Sequence, residues 1–467
     1  MPGDKRICAE CVSDDYLKSL INQSQETNQA CDYCATVAST IDMQSLADMC
    51  DEVIENFYEV SSLMQAVIHF GRTPDGYPLH DVLEDLIAPP TDALNDLVEI
   101  LGETWFDWSS HEHKYGDEDP WFVEKSNLKG PLSSAWEKME QSLRHEARHF
   151  NPSAVALLEQ IFGSILDDRT DQGSSVIVDL GNGSQFDTLF RARVFQTSAP
   201  LEEAFEHPER HFGPPPPGVG TAGRMNAKGI PVFYGATKES IAVSEVRPPV
   251  GSLVVVAQFH VIRPLRVLDL RQLGTIRLQP SASLFDPETV KEATRRDFLR
   301  ELTMKLVMPV VPELEDHRYV VTQSIADFLA THPNLNLDGL LFPSAQHASD
   351  DGDESGCNII LFNKASTVLF ADASNGNRTK TYIYEHDDDT PEGRLEPIMW
   401  ARVRKDEPEW LRARWGDGQP NPALRLNLDK IFILEIEGVR YDSRSHPVKH
   451  VEDNSPQPHT SNEDRFF

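Results

Sequence analysis

Residues 223–248 read GRMNAKGIPVFYGATKESIAVSEVRP, and this stretch decides the fold of the C-terminal half. Gly229 and Pro231 predict a turn into a short apolar strand that ends near Tyr234. A helix is predicted over 238–246, with Thr237 as its cap. Glu245 lies three and four residues from Ala242 and Ile241, so the spacing places its carboxylate on the apolar face of that helix. A carboxylate in that position is either one half of a structural ion pair or a functional group.

Short apolar runs on both sides of this stretch extend the pattern. The predicted strands are 189–195, 232–234, 253–261, 267–270, 339–342 and 358–362, and the further helices are 288–308 and 322–331. This mixture predicts an α/β or α+β domain at 176–370, preceded by a polar linker. The segment 371–467 is predicted to be an extension with one strand, 431–436, and a disordered tail.

The motifs of this domain resemble the RES-domain family over about residues 186–370. The matching stretches are FRAR at 190–193, the quoted block at 223–248, VLDL at 267–270, TQSIADFL at 322–329, DGLLFPS at 338–344 and CNIILF at 357–362. The family includes toxins of toxin–antitoxin pairs that degrade NAD⁺, with a fold similar to that of ADP-ribosyltransferases. The resemblance therefore implies that the chain cleaves NAD⁺ at the nicotinamide–ribose bond, as a glycohydrolase or a phosphorylase.

Carried onto this chain, the resemblance also implies a set of site residues. Arg191 and Arg224 would bind the NAD⁺ diphosphate, together with Asn226 as a substrate-binding residue. Tyr234 would stack on the nicotinamide, Glu245 would stabilise the positive charge that develops on the ribose, and Ser344 would bond the ribose or the acceptor. The acceptor itself, which is water, phosphate or a macromolecule, stays open.

Two Cys-x-x-Cys pairs stand at the N-terminus, in residues 1–41. Cys8, Cys11, Cys31 and Cys34 have the spacing of a structural zinc knuckle, since four thiolates complete a tetrahedral Zn²⁺ site. The alternative is two dithiol pairs without metal. Cys50 and Cys357 are single and are predicted to be packed thiols.

Residues 42–168 show helical periodicity and predict an all-α bundle, with a long loop at 105–121. This half resembles the HEPN-type domain that accompanies RES domains. Arg144 and His149 resemble the ribonuclease motif of HEPN proteins, which makes ribonuclease activity an alternative function. On one straight helix these two residues would point about 140° apart. A third alternative is a non-enzymatic protein that binds a nucleotide and signals.

The chain has 467 residues and a net charge of −32. This charge disfavours RNA, DNA and anionic membranes as partners, because their binding depends on clustered Lys and Arg. The sequence shows neither an apolar run near the ~20 residues of a membrane span nor a signal peptide, so a cytoplasmic protein is expected. An antitoxin or regulatory protein is an expected partner on the family resemblance, and the oligomeric state stays open.

Overall fold

The structure is a computed structural model. It describes residues 2–24, 28–61, 75–116, 119–125, 131–278, 282–307, 315–344, 356–369, 380–387, 390–400, 421–440 and 445–448. Within these ranges, no helix is long and apolar enough to cross a membrane.

The N-terminal half up to residue 125 forms one core around four helices. They are α1 (Asp15–Asn22), α2 (Met43–Phe57), α3 (Leu79–Ile87) and α4 (Thr91–Thr104). Their apolar faces bury Leu46, Leu83 and Leu97 together with Cys8 and Cys11, so the cysteine module and the helices share this core. Helix α2 has one apolar face because its apolar residues recur at three- and four-residue steps. The helical periodicity of the sequence predicts that this apolar face continues to Met64 and Val67, which lie outside the described residues.

The sequence analysis predicted an all-α bundle, but this half also contains strands. Its strands are β1 (Arg6–Cys8), β2 (Gln29–Ala30), β3 (Val37–Ala38), β4 (Thr40–Asp42), β5 (Tyr58–Val60), β6 (Tyr77–Pro78), β7 (Phe106–Asp107), β8 (Glu112–His113) and β9 (Trp121–Glu124). The predicted 105–121 loop contains the β7–β8 pair and leads into β9, which pairs with β5 and β6. Trp105 and Phe122 are buried in the core, which explains why this aromatic segment is structured.

Two further helices, α5 (Pro131–His145) and α6 (Pro152–Phe162), belong to a different core. Asn151 caps α6 as predicted, since its side chain accepts a hydrogen bond from the backbone of Ala154. The apolar faces of α5 and α6 pack with α10 (Pro287–Val307) and α11 (Glu315–Thr331). The predicted division at 168–176 therefore runs through a shared core, because the stripes of α5 and α6 are covered by helices from the C-terminal half.

An eight-stranded sheet forms the centre of the C-terminal half. Its strands are β10 (Ile177–Leu180), β11 (Thr188–Phe195), β12 (Phe233–Ala236), β13 (Leu253–Val261), β14 (Leu265–Asp269), β15 (Gly339–Pro343), β16 (Cys357–Leu361) and β19 (Leu424–Glu435). Their order is β10-β14-β15-β16-β12-β11-β13-β19, and all neighbours are antiparallel except β14 and β15. The predicted strands are present, and β10 is an addition.

Helices cover both faces of this sheet. On one face α10 and α11 pack on Leu268, Leu340 and Ile360, and the short helix α9 (Glu239–Glu245) packs beside them on β11–β13. On the other face lie α7 (Ser198–Glu206) and α8 (Pro208–Phe212).

The C-terminal segment is part of this architecture rather than a separate extension. β19 adds to the sheet beside β13 along most of its length. A hairpin of β17 (Lys380–Asp387) and β18 (Thr390–Trp400) also forms in this segment, for which only the strand 431–436 was predicted. The mixed α/β architecture is confirmed, while the ADP-ribosyltransferase-like topology stays a prediction. The predicted disordered tail lies almost entirely outside the described residues.

Candidate functional site

The four N-terminal cysteines converge on one point. Cys8 ends β1, Cys11 ends the following 3₁₀ turn, and Cys31 and Cys34 lie on the turn between β2 and β3. The Sγ atoms of Cys8 and Cys11 are 3.9 Å apart, those of Cys8 and Cys34 3.5 Å, and those of Cys11 and Cys31 3.8 Å. Tetrahedral zinc with Zn–S bonds near 2.3 Å places its sulfurs about 3.8 Å apart. The cluster therefore has the dimensions of a four-thiolate metal site.

The electrostatics of the cluster explain why a cation suits it. Burial is the main reason that the pKa values of the Cys8 and Cys11 thiols are raised. The exposed Cys34 differs, because hydrogen bonds from Thr36 lower the pKa of its thiol to about 6. Four thiols at these distances can all ionise only when a cation compensates their charge. The single cysteines Cys50 and Cys357 are buried, as predicted for packed thiols.

In the RES-like half, Tyr234 is tied to the loop that precedes its strand. Its hydroxyl donates to Asn226 Oδ1 at 2.9 Å and accepts from the backbone N–H of Met225 at 3.1 Å. Burial raises the pKa of Tyr234 to about 12, so the hydroxyl is neutral near pH 7. A Cβ atom at Gly223 would lie 2.6 Å from this hydroxyl, which is why the loop needs glycine there.

Asn226 was predicted to bind substrate, but its amide is used within the loop. The side chain is 5% exposed, and its Nδ2 donates to the carbonyls of Thr221 and Ile230, both at 3.0 Å. With Oδ1 bonded to Tyr234, no donor of this amide is left for a ligand. Asn226 therefore folds the loop and positions Tyr234.

Helix α11 holds the same loop from the other side. Gln323 Nε2 donates to the carbonyls of Gly223 and Asn226 at 2.8 and 2.9 Å, and Thr322 donates to the carbonyl of Arg224. Arg224 itself donates from Nη1 to the carbonyl of Leu306 in the last turn of α10, at 2.7 Å. One edge of its guanidinium is thus fixed by the protein, which orients the group.

Arg191 lies at the place where two strands of the sheet separate. In the described chain, β11 and β12 pair only at Phe190 and Ala236. Beyond this pair the strands diverge, with Arg191 on β11 and Tyr234 on β12. The guanidinium carbon of Arg191 lies 5.5 Å from the centre of the Phe233 ring.

The electrostatic state of Arg191 is unusual. Its Nη1 is shielded from solvent and has no hydrogen-bond partner in the described part of the chain. Burial lowers the pKa of Arg191 to about 10, so the side chain still carries its charge at neutral pH. A buried cation without an anion costs folding free energy unless a ligand supplies the partner.

Glu245 is exposed, which corrects the prediction of a carboxylate on a buried stripe. Helix α9 ends at Glu245 itself, so the helix buries Ile241 and Ala242 and leaves the Glu at its rim. Glu245 Oε2 accepts a hydrogen bond of 3.0 Å from Asn358 Nδ2. The predicted cap Thr237 has another function: its Oγ1 accepts from the backbone N–H of Cys357 at 2.9 Å and so ties β12 to β16.

Strand register brings the ends of three strands together. Ala236 pairs with Asn358, and Pro343 pairs with Cys357, so Ser344 directly follows the strand beside Asn358. Glu245, Asn358 and Ser344 therefore lie near the same ends of these inner strands. Asn358 is the residue that the sequence analysis missed. Its only signal is a polar side chain inside the apolar run CNIIL.

The second predicted motif, Arg144 with His149, is not on one helix. Helix α5 ends at His145, and His149 lies exposed in the segment before α6. Arg144 donates to Glu140 at 2.9 Å, so its guanidinium is engaged inside its own helix. The two residues are therefore not on one helix, and the ribonuclease function stays a prediction that no contact among the described residues specifically favours.

Comparisons with known proteins give one family match. Residues 188–385, less than half of the chain, match the family model of the RES domain. The match begins beyond the helical half, so the HEPN resemblance stays a prediction.

One solved structure, entitled "Crystal structure of the M.tuberculosis MbcT-MbcA toxin-antitoxin complex", is similar at 16% identity. It covers 38% of this chain and 74% of that chain, with a TM-score of 0.17. A TM-score this low carries no structural argument. A search of curated proteins gives no match.

Proposed function

We propose that the RES domain cleaves NAD⁺ at the bond between nicotinamide and ribose. The family match supports the class of activity. The observation that carries the proposal is the Nη1 of Arg191 at the divergence of β11 and β12, which has no hydrogen-bond partner among the described residues. A desolvated cation with this free hydrogen-bond donor is suited to an anionic ligand, and the diphosphate of NAD⁺ supplies one.

In this proposal Glu245 acts on the reacting bond. When the bond breaks, its electron pair leaves with nicotinamide, and positive charge develops on the ribose carbon. The Glu245 carboxylate, held by Asn358, stabilises this charge more in the transition state than in the ground state. An oxygen of the acceptor then forms the new bond and loses its proton. With water as acceptor the product would be ADP-ribose, and with phosphate it would be ADP-ribose 1-phosphate. Mass spectrometry of the products formed in reactions with and without added phosphate identifies the acceptor.

The other residues bind and orient the substrate. Arg224 is oriented by its hydrogen bond to the carbonyl of Leu306, and its positive charge would attract the diphosphate. The ring of Tyr234 would contact the nicotinamide, because its hydroxyl is already bonded to the loop. Ser344 would bond the ribose or the acceptor from the strand next to Asn358.

Two arginines on the same strand are compared to test whether Arg191 binds the diphosphate. Arg191→Met removes the unpaired cation and should raise the Kd for NAD⁺ at least about tenfold, as expected when a charge-assisted hydrogen bond is lost. Arg193→Met is the matched control, because Arg193 already donates to the backbone of His211. Isothermal titration measures both values. Equal affinity of Arg191→Met and wild type would remove the diphosphate assignment.

We also propose that the four-cysteine cluster binds one structural Zn²⁺. The donor set and the sulfur separations support it, and four cysteine ligands leave no open position for a substrate. A toxin-like function and a regulatory or antitoxin partner belong to the same overall proposal, and their support is the family resemblance. Release of growth arrest by a co-expressed partner would test them.

A further inference from the structure

Asn358 is a buried amide in the middle of the sheet, and among the described residues only its Nδ2 is hydrogen-bonded. It is 3% exposed, in a strand whose five residues are all buried. Its Nδ2 donates to Glu245 Oε2 at 3.0 Å. Its Oδ1 is shielded from solvent and has no hydrogen-bond partner in the described part of the chain.

The orientation of this amide follows from its neighbour. An ionised carboxylate only accepts hydrogen bonds, so the NH₂ group of Asn358 must face Glu245. The opposite orientation would place two acceptors against each other and would leave the NH₂ group unpaired. The unsatisfied atom is therefore the carbonyl oxygen, and it lies directly beside the bonded Glu245 carboxylate.

Neither residue is explained by folding alone. A buried acceptor without a donor destabilises the folded chain, and an apolar side chain would avoid that cost in this strand. Glu245 ends helix α9, where the partial negative charge of the helix terminus disfavours a carboxylate. Two adjacent groups that both oppose stability are typical of a ligand site.

We propose that Asn358 holds Glu245 in place and that its Oδ1 accepts a hydrogen bond from the nicotinamide riboside half of NAD⁺. This inference rests on the proposed function. The ligand chemistry is a hydrogen-bond donor next to the reacting bond. NAD⁺ offers two such donors: the NH₂ of the nicotinamide carboxamide and the ribose hydroxyls. Either one would complete the amide of Asn358 when the substrate binds.

The experiment measures kcat/KM for nicotinamide or pyridine release with three dinucleotides. NAD⁺ has both donors, the 3-acetylpyridine analogue lacks the carboxamide NH₂, and an analogue with a dideoxyribose on the nicotinamide lacks both hydroxyls. Asn358→Leu should lower kcat/KM for NAD⁺ by about 10- to 100-fold. This loss should be at least about fivefold smaller with the analogue that lacks the donor, which identifies the donor. The loss that remains is expected because Asn358→Leu also removes the hydrogen bond that holds Glu245. Asn427→Leu is the control, because that strand amide is already bonded to Gln258 and His260.

If Asn358→Leu folds poorly, a second variant and the melting temperature still test the inference. Asn358→Asp keeps an acceptor but replaces the donor that holds Glu245, so its kcat should fall with all three dinucleotides while KM changes less. The Tm of Asn358→Leu should equal or exceed that of wild type, since the substitution removes an unsatisfied acceptor. A structural amide would instead lower the Tm by several degrees.

Failure of this inference and failure of the proposed function give different results. If wild type cleaves NAD⁺ and Asn358→Leu loses the same factor with all three dinucleotides, this inference is wrong and the proposed function stands. That pattern is also expected if a bridging water satisfies Oδ1. If wild type neither binds nor cleaves NAD⁺, the proposed function and this inference fall together.

Discussion

The ion pair between Arg295 and Asp168 provides a quantitative test of how the segment of α5 and α6 packs against the C-terminal half. Arg295 on α10 donates to both carboxylate oxygens of Asp168 at 3.1 and 2.7 Å, and to the carbonyl of Ile161 at 2.7 Å. The two side chains are 6% and 10% exposed. Arg295→Met keeps most of the side-chain volume but leaves the Asp168 carboxylate buried without its partner.

The expected loss of stability of Arg295→Met follows from the burial of both side chains. Removing one partner of a buried ion pair costs about 3–5 kcal/mol. At about 2–4 °C per kcal/mol for a domain of this size class, the Tm should fall by about 6–20 °C. The control is Lys291→Met on the same helix, because the Lys291–Glu288 pair is 65% and 75% exposed and should contribute less than about 1 kcal/mol.

The assay is differential scanning calorimetry of the full chain, with urea unfolding as a second measure. A destabilisation of Arg295→Met below about 1 kcal/mol, or one equal to that of Lys291→Met, would contradict the reasoning. It would mean that the segment around Asp168 does not share the core of α10.

Three further predictions concern the cysteine cluster, the domain boundary and the site loop. Cys31→Ser should lose most of the bound zinc measured by elemental analysis, whereas Cys50→Ser should keep it; equal metal in both would exclude the four-thiolate site. The fragment 131–467 should be soluble and show cooperative unfolding, whereas a fragment starting at the predicted linker should aggregate, because it exposes the faces that α5 and α6 cover; the reverse result would restore the predicted boundary. Gly223→Ala should lower NAD⁺ turnover by about tenfold or more because its Cβ meets the Tyr234 hydroxyl, whereas Gly102→Ala, with no atom within 4 Å, should leave turnover unchanged and raise stability by about 0.5–1 kcal/mol.

The central strands could be predicted from sequence because they are buried on both faces. β13 begins with the apolar run 253–257, and Asn358 is the one polar residue of β16, so both strands can be recognised without knowledge of their partners. β10 was missed because it has four residues, one of them Asp179, directly after a polar linker. Helices α7 and α8 were missed because neither is long enough to show a clear helical period.

The domain boundary could not be predicted for a different reason. Periodicity shows that α5 and α6 each have an apolar face, but it does not show which surface covers that face. The polar segment after α6 indicated a linker. Its Asp168 is in fact bonded to Arg295, more than a hundred positions later in the chain. Such pairings depend on tertiary structure alone.

The candidate site residues could likewise be selected from sequence, but their hydrogen-bond partners could not be predicted. Arg191 and Glu245 were selected by residue type, motif order and resemblance. In the described part of the chain, Arg191 Nη1 has no hydrogen-bond partner, and Glu245 accepts a hydrogen bond from the Asn358 amide. The functions of the two asparagines depend on hydrogen-bond partners that only the fold defines. Asn226 bonds within its own loop, while Asn358 reaches Glu245 from a strand that follows more than a hundred residues later.

The most direct test of the central claim is nicotinamide release from NAD⁺ by the full chain, followed by proton NMR. Wild type should release nicotinamide together with an equal amount of an ADP-ribose product. Glu245→Gln should lower kcat by at least about a hundredfold while the Kd for NAD⁺ changes only a fewfold, because the variant keeps the shape and loses the charge. Glu239→Gln, in the first turn of the same helix, should behave like wild type. Intact NAD⁺ after incubation with folded wild-type protein, or full turnover by folded Glu245→Gln, would contradict the account.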